Sequence, residues 1–353
     1  MRILQLNLEK GWRGGERQTL LTALAQRSQG HEVEVVARDG SELASRAQAE
    51  GLTVHYARQA VSLTAWLAIH GSRFDVIHAQ TAGSITGAVL AKPFHRRPIV
   101  FSRRTNFPVT SGAALTRFKW RHVDQLVAIS QAAAVEPRRF GIEPVIIPSA
   151  IAPIESNPVR VDDFLRQYKL EGKTLIGTCA ALTSEKDPLI LIRAAALVCA
   201  KFPDTVFIHW GGPGPLSEAA NNLIAELKLQ EHYLLVGFQK EPEQLFPALT
   251  LFVLASRFEA LGSSILDAML QGVPVIGTRT GGIQELLAKG RGILTPVGDA
   301  ASMAQHIEWA LSHPEQARQM ALLAHQHVTS EHEVTHMAQK YLTVYEGLVD
   351  NAR

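Results

Sequence analysis

The sequence predicts two tandem α/β domains, each a doubly wound parallel sheet of the Rossmann-like type. Short apolar runs alternate with helical patterns along both halves of the 353-residue chain, which is typical of parallel sheets with helices on both faces. Several runs are apolar at every position, as expected of strands that are buried on both faces. The length fits two domains of ordinary size. Because ligands bind where parallel strands end, we expect the two domains to face a central cleft.

The first domain is predicted over residues 1–150. Its strands are expected at 3–6, 33–36, 76–78, 99–101 and 126–129, and its helices at 16–29, 82–92 and 113–122. Residues 149–161 combine prolines with mixed polar residues, which predicts a linker.

The second domain is predicted over residues 151–335. Its strands are expected at 175–179, 206–210, 233–236, 251–254, 275–276 and 293–294, and its helices at 188–200, 216–229, 242–248, 264–271 and 301–311. A last helical pattern carries Met337, Tyr341 and Tyr345 on one face. We expect the C-terminal helix, residues 336–353, to return to the first domain.

The composition predicts a cytoplasmic globular protein. Hydrophobic residues make up 46% of the chain and charged residues 19%. No run of about eighteen apolar residues occurs, so no membrane-spanning helix is expected. The N-terminus becomes charged too early for a signal peptide and is interpreted as a first strand. The two cysteines, Cys179 and Cys199, lack metal-ligand spacing, which favours a reducing compartment and argues against structural zinc.

The net charge of +2 is unevenly distributed. Residues 1–150 carry a net charge of +8 and the remainder −6. Residues 93–123 hold seven lysines and arginines and no acid, and Phe94, Phe107, Phe118 and Trp120 interleave with them. Such a patch suits an anionic membrane surface, although a solvated helix face has the same composition. The pI of about 8.5 is not extreme, so nucleic acid is not expected as a partner.

A second informative feature is the segment that follows the apolar run 251–255. Glu259 lies on a short loop, and Ser264 and Asp267 have the spacing of a capping box at a helix start. Free backbone N–H groups at a helix start form an anion site. A carboxylate beside such a site predicts a ligand that carries both hydroxyls and phosphates.

The first strand does not lead into a dinucleotide-binding fingerprint. The segment Gly11-Trp-Arg-Gly14-Gly15-Glu16 departs from G-x-G-x-x-G, which argues against a dehydrogenase. A nucleotide-sugar enzyme, an epimerase of similar architecture and a binding protein remain open.

Nine short motifs occur in one order along nearly the whole chain. They are Gly14-Gly15-x-Arg17, Asp75-Val-Ile-His78, Val127-Ala-Ile-Ser130, Val145-Ile-Ile-Pro148, Ala181-Leu-Thr-Ser-Glu-Lys186, Gly211-Gly-Pro-Gly-Pro215, Val236-Gly-Phe238, Glu259-x7-Asp267 and Gly281-Gly-Ile-Gln-Glu285. In these motifs the chain resembles the retaining glycosyltransferases of family 4, which have the GT-B fold. It departs from that family at Asp267, usually a glutamate, at Ala181, usually basic, and at Arg103-Arg104, where a histidine is common.

The resemblance implies a metal-independent hexosyltransferase whose co-substrate is a nucleotide-diphosphate sugar and which needs no further cofactor. Glu259, His78 and Arg104 are the catalytic candidates, with Glu259 binding the donor-sugar hydroxyls. The remaining candidates are residues that would bind the donor: Gly14, Gly15, Lys186, Gly212, Leu261, Gly262, Ser263, Ser264 and Asp267. Five more are candidates for the acceptor or a membrane surface: Arg103, Arg117, Lys119, Trp120 and Arg121.

The expected acceptor is a glycan or a lipid-linked molecule of cell-surface polysaccharide or lipopolysaccharide synthesis, at the inner face of the membrane. Three alternatives stay open: transfer to a small soluble acceptor, a nucleotide-sugar epimerase, and a catalytically silent nucleotide-binding relative.

Overall fold

The computed structural model describes residues 1–155 and 157–351. The chain forms two compact units. Met1–Ala152 forms the first unit together with the segment that begins at His332, and Pro153–Glu331 forms the second. The chain therefore leaves the first unit, builds the second, and returns.

The first unit is built on a parallel sheet. Its strands are β1 (Arg2–Asn7), β2 (Glu32–Ala37), β3 (Thr53–Tyr56), β4 (Val76–Ala79), β5 (Ile99–Arg103), β6 (Gln125–Ala128) and β7 (Val145–Ile146). Over the described part of this unit they pair in the order β3-β2-β1-β4-β5-β6-β7. The order reverses between β1 and β4, which is the position where doubly wound sheets bind ligands.

The helices of the first unit connect these strands. They are α1 (Gly14–Ser28), α2 (Glu42–Ala49), α3 (Ala60–His70), α4 (Ala82–His95), α5 (Ala113–Arg121) and α6 (Gln131–Arg139). The side chains of Ser41, Thr81 and Ser130 accept hydrogen bonds from the first turns of α2, α4 and α6. The sequence predicted α1, α4 and α5 within a few residues. It missed α2, α3, α6, β3 and β7.

Two apolar layers cover the faces of this sheet. Ile3 of β1 packs into one layer, and its neighbours Leu4 and Leu6 pack into the other. Successive strand residues point to opposite faces, so a strand covered on both sides needs apolar residues at consecutive positions. This explains the unbroken apolar runs in the sequence.

The second unit has the same architecture. It contains α7 (Pro158–Tyr168), β8 (Thr174–Cys179), α8 (Pro188–Lys201), β9 (Thr205–Trp210), α9 (Ser217–Glu226), β10 (Tyr233–Gly237), β11 (Leu251–Leu254), α10 (Ser263–Leu270), β12 (Val275–Thr278), α11 (Gly281–Leu287), β13 (Ile293–Thr295), α12 (Ala300–Ser312) and α13 (Pro314–Glu331). Among its described residues, the parallel strands pair in the order β10-β9-β8-β11-β12-β13.

Three details of the second unit differ from the sequence prediction. The last residues of the linker expected at 149–161 are helical, because α7 begins at Pro158. Proline suits the first turn of a helix, and the Asn157 side chain caps this turn by accepting a hydrogen bond from Arg160 N. Ser156 of that linker lies outside the described residues. The helix expected at 242–248 is a 3₁₀ helix. The helices α11 and α13 were not predicted.

The C-terminal helix α14 (Val334–Asn351) packs on the first unit. Tyr341 and Tyr345 are fully buried in the apolar layer that contains Ile3. The Tyr345 hydroxyl is 3.2 Å from Gln26 Nε2 of α1. The predicted fold class, two tandem doubly wound parallel-sheet domains, is confirmed. Among the helices described, none combines the length and apolar character needed to cross a bilayer.

Candidate functional site

Loops at the carboxyl ends of neighbouring strands meet in the second unit. The segments that follow β8, β9, β11 and β12 begin at Ala180, Gly211, Ala255 and Arg279. Because these strands are parallel and adjacent, their ends lie along one edge of the sheet. Most of the donor-binding residues predicted from the sequence lie on these segments.

Glycines allow the segments after β8 and β9 to approach each other closely. A Cβ at Gly211 would lie 1.8 Å from the carbonyl oxygen of Ala180, and one at Gly214 would lie 2.3 Å from that of Leu182. Ala180 N donates to Trp210 O at 2.8 Å across the same contact. A Cβ at Gly212 would meet no atom within 4 Å, so this predicted donor contact faces open space.

Lys186 and Glu259 lie against each other. The Lys186 ammonium Nζ donates to Glu259 Oε2, and the side chains are 26% and 15% exposed. The Ser256 hydroxyl donates to the same carboxylate oxygen at 3.5 Å. The structure thus brings together the two charged residues for which the sequence predicted contacts with the diphosphate and the sugar.

A second ion pair connects the same two segments. Arg257 Nε donates to Asp187 Oδ2 at 2.6 Å, and Arg257 N donates to Glu185 O at 2.8 Å. The Thr280 hydroxyl donates to Arg257 O at 2.8 Å, which adds the segment after β12. Neither Asp187 nor Arg257 was among the residues that the sequence motifs pointed to. The sequence feature that could have identified Asp187 is its position directly before Pro188, the first residue of α8.

The helix α10 begins differently from the prediction. Gly262 is its N-cap residue with a φ of 100°, and its carbonyl accepts from Ile265 N and Leu266 N. The predicted capping box of Ser264 and Asp267 is therefore wrong, because Ser264 already lies in the first turn. The N–H groups of Ser263 and Ser264 precede the first intrahelical hydrogen bond, as an anion site at a helix start requires. Asp267 lies inside the helix and is buried.

In the first unit, His78 is a core residue. It has no exposed surface, its Nε2 is 2.8 Å from the Ser102 hydroxyl, and its Nδ1 is 2.6 Å from the Tyr345 hydroxyl. Burial lowers the pKa of this imidazole well below its ordinary value, and the charge of Arg104 lowers it further. Its predicted catalytic contact does not agree with this placement, because the enclosed ring cannot touch a substrate.

Arg104 lies beside the glycine segment at the start of α1. A Cβ at Gly15 would be 4.0 Å from Arg104 Cδ. The guanidinium donates to Gln80 Oε1 through Nε and Nη2, at 3.0 and 2.7 Å, and to the Ser149 hydroxyl at 3.2 Å. Burial lowers the pKa of Arg104 from its ordinary value. The structure thus brings together Arg104 and the predicted Gly14-Gly15 segment.

The basic stretch 93–123 divides into an interior and an exposed part. Arg103 is buried, donates to Phe107 O at 2.7 Å, and lies over the ring of Trp120, which is also buried. Burial lowers the pKa of Arg103 to about 10. The prediction that Arg103 and Trp120 face an acceptor or membrane is therefore wrong, because they pack on each other. Arg117 and Arg121 are exposed, and Lys119 is half-buried with its ammonium 3.2 Å from the Thr86 hydroxyl.

Two family models match the chain, one in each unit. Residues 12–153 match the model described as Glycosyltransferase Family 4. Residues 161–326 match the model described as Glycosyl transferases group 1.

Curated relatives match shorter segments. The N-acetyl-alpha-D-glucosaminyl L-malate synthase of Bacillus anthracis is 33% identical over 135 residues, which is 38% of this chain and 35% of that protein. The lipopolysaccharide core biosynthesis glycosyltransferase LpsE of Rhizobium meliloti is 31% identical over 104 residues, which is 29% of this chain and 31% of that protein. The matched segments thus span about a third of these relatives.

A solved structure matches along the whole length. Anabaena HepE in complex with UDP-glucose superposes with a TM-score of 0.88 at 21% sequence identity, over 99% of this chain and 100% of that one. This likeness shows the GT-B fold. The two family models lie side by side along the chain, over residues 12–153 and 161–326.

Proposed function

We propose that this protein is a retaining, metal-independent glycosyltransferase that moves a hexose-type sugar from a nucleotide-diphosphate donor. The observation that carries the proposal is the juxtaposition of Lys186, Glu259 and the start of α10 on adjacent strand ends. A cation and N–H groups suit phosphates, and a carboxylate suits sugar hydroxyls. The solved HepE structure binds UDP-glucose, which supports a nucleotide sugar as the donor.

Each donor contact follows from the local chemistry. Lys186 and the N–H groups at the start of α10 offset the charge that develops on the departing diphosphate, in the role that a metal ion has in other enzymes. Glu259 accepts hydrogen bonds from the sugar hydroxyls and thereby orients the anomeric carbon. Asp267, which unlike His78 keeps a small exposed fraction of 5%, binds the ribose hydroxyls. Retention proceeds by attack on the face that the leaving phosphate occupies, as the family resemblance implies.

The acceptor is a glycan or lipid-linked molecule of cell-surface polysaccharide or lipopolysaccharide synthesis, and the first unit binds it. Matched relatives include a lipopolysaccharide core glycosyltransferase. Arg104 is our candidate for holding an anionic group, since its hydrogen bonds to Gln80 and Ser149 end on neutral oxygens, although the charge of Glu16 also acts on it. A small soluble acceptor is the second candidate, because the malate synthase relative is named for one.

An exposed surface of the first unit is suited to an anionic membrane. Leu90, Phe94 and Phe118 are 55%, 65% and 48% exposed. Pro93 lines two shallow depressions, one that includes Phe94 and one that includes Leu90 and Phe118. Six cationic residues lie on α4, on α5 and in the turn after α4, namely Lys92, Arg96, Arg97, Arg117, Lys119 and Arg121. One of them, Lys92, already pairs with Asp124 at 2.7 Å. Apolar side chains that enter the interface and cations that meet lipid phosphates are the two components of peripheral binding. We call this set the basic apolar surface.

Thermal stabilisation by nucleotides tests the donor site. UDP, GDP and ADP, each with EDTA present, are compared for the rise in melting temperature, because a ligand that binds the native state alone raises it. We expect one of them to stabilise the protein, and Lys186→Ala to remove most of that effect while the bare nucleoside binds as before. Stabilisation that appears only with Mg²⁺ or Mn²⁺ would disprove metal independence. Donor turnover without an acceptor would favour an epimerase, and nucleotide binding without transfer to any acceptor would favour a silent relative.

Vesicle sedimentation tests the membrane assignment. We expect binding to phosphatidylglycerol vesicles that weakens with salt. Arg117→Ser with Arg121→Ser should reduce it about thirtyfold, since each cation contributes about 1 kcal/mol. Phe94→Ser should also weaken binding, whereas Leu322→Ser, a similarly exposed apolar residue of the second unit, should not. Equally strong binding to neutral vesicles would contradict the proposed contribution of the cationic side chains.

A further inference from the structure

We infer that Asp187 and Arg257 are positioning residues, whose ion pair holds Lys186 in the place where it meets the diphosphate. This inference rests on the proposed donor site and adds two residues to it. Asp187 directly follows Lys186 in the chain, and Arg257 lies two residues before Glu259. The ion pair therefore connects the segment that carries Lys186 to the segment that carries Glu259.

The backbone around Asp187 requires an external restraint. Asp187 has a φ of 47°, in the left-handed region that residues with a Cβ adopt at a cost, although Asp and Asn tolerate it better than most. Lys186 N and Asp187 N both donate to Thr183 O, at 3.1 Å, so the segment turns tightly before α8. The conformation of this turn sets the direction in which the Lys186 side chain leaves the backbone.

The ion pair supplies that restraint. The Asp187 side chain is 5% exposed, and its Oδ2 accepts from Arg257 Nε at 2.6 Å. A buried carboxylate needs a partner of opposite charge, and Arg257 supplies it, although its side chain is 53% exposed and water offsets part of the attraction. Arg257 is fixed in turn, since its backbone N donates to Glu185 O and its carbonyl accepts from the Thr280 hydroxyl. Three segments at the sheet edge thus meet at one arginine.

The expected consequence is a loss of diphosphate affinity without a loss of base recognition. When the pair is removed, the turn relaxes, and the Lys186 ammonium samples positions in which it does not face the phosphates. The nucleoside half of the ligand, which Lys186 does not touch, is bound as before. Misplacement of a positioned charge by about 1 Å is sufficient for large losses at such sites.

The test measures the affinities of UDP, uridine and inorganic pyrophosphate by calorimetry. The variants are Asp187→Asn, which tolerates the same φ and removes the charge, and Arg257→Met, which keeps the apolar stem. We expect each to weaken UDP and pyrophosphate about tenfold and to leave uridine unchanged. The control is Asp163→Asn, which removes an exposed ion pair with Arg166 in the same unit.

A Lys186→Ala background separates positioning from a general loss of structure. If Asp187 acts through Lys186, Asp187→Asn causes no further loss of UDP affinity once the lysine is absent. Additive losses, or a parallel loss of uridine, would overturn the inference. If Lys186→Ala itself leaves UDP and pyrophosphate binding unchanged, the proposed donor site fails instead. If Lys186→Ala weakens both ligands and the pair variants do not, the donor site stands and the positioning role is wrong.

Discussion

Replacing Glu259 by glutamine should strengthen the binding of a nucleoside diphosphate while it nearly abolishes transfer. In the structure the Lys186 ammonium donates to the Glu259 carboxylate, so a diphosphate must compete with that carboxylate for the lysine. Glutamine keeps the size of the side chain and removes its charge. The lysine then becomes available to the phosphates, and the negative charge of Glu259 no longer repels them.

The size of this effect follows from the exposure of the pair. Two charges about 4 Å apart interact by about 4 kcal/mol at an effective dielectric constant of about 20. The side chains are 26% and 15% exposed, so water compensates for much of that loss, and the net coupling is about 1 kcal/mol. This corresponds to about fivefold tighter binding of the diphosphate. Transfer should fall about a hundredfold or more, as it does when other transition-state contacts are removed.

The assay combines calorimetric binding of the stabilising nucleoside diphosphate with the rate of sugar transfer. Glu308→Gln is the matched control, because Glu308 is also a half-buried partner of a lysine, Lys201, in the same unit. We expect this control to change neither quantity. Weaker diphosphate binding in Glu259→Gln would refute the competition between carboxylate and phosphate. Normal transfer by the same variant would refute the assignment of Glu259 to the donor sugar.

Three further predictions address other parts of the fold. Asp267→Asn should raise the donor Michaelis constant and barely change the melting temperature, because Asp267 does not cap α10; a purely thermal effect would remove it from the ribose site. Gly211→Ala should lower the melting temperature and weaken nucleotide binding, because its methyl group would overlap the Ala180 carbonyl oxygen; wild-type values for both would contradict this. Burial lowers the pKa of His209 to about 4. Between pH 6.5 and 4 the unfolded state therefore binds more protons than the folded state. As the pH is lowered through this window, this residue reduces the free energy of unfolding by up to about 3 kcal/mol. His209→Gln should reduce the difference between the free energies of unfolding measured in urea at pH 7 and pH 5. An unchanged difference would assign the pH dependence to other groups.

The architecture and one edge of the second sheet could be predicted because they depend on local patterns. An unbroken apolar run specifies a buried parallel strand, and the residues just after it must lie at the carboxyl edge. Lys186 and Glu259 follow β8 and β11, which are neighbours in the sheet. Their proximity was thus contained in the strand pattern and the family motifs. The atomic contact between their charges was not.

The failed predictions all depend on contacts between distant segments or on backbone torsion angles. The spacing of Ser264 and Asp267 fits a capping box, but the φ of 100° at Gly262 starts the helix one residue earlier and leaves that pattern unused. Arg103 and Trp120 belong to a basic and aromatic stretch, yet the alternation of β5 turns the arginine inward onto the tryptophan. Asp187 and Arg257 are 70 residues apart, and only the folded sheet edge brings them together.

His78 shows what a motif match can and cannot establish. The resemblance correctly placed a strand that ends near this histidine, and we assigned the side chain to chemistry on that basis. In the folded unit its two ring nitrogens contact Ser102 of β5 and Tyr345 of α14, so the ring joins β4 to β5 and to the C-terminal helix. A motif identifies a position in the fold, whereas the partners of the side chain decide its role. By that criterion we propose that half-buried groups such as Lys186 and Glu259 carry the chemistry, whereas His78 stabilises the unit that the C-terminal helix completes.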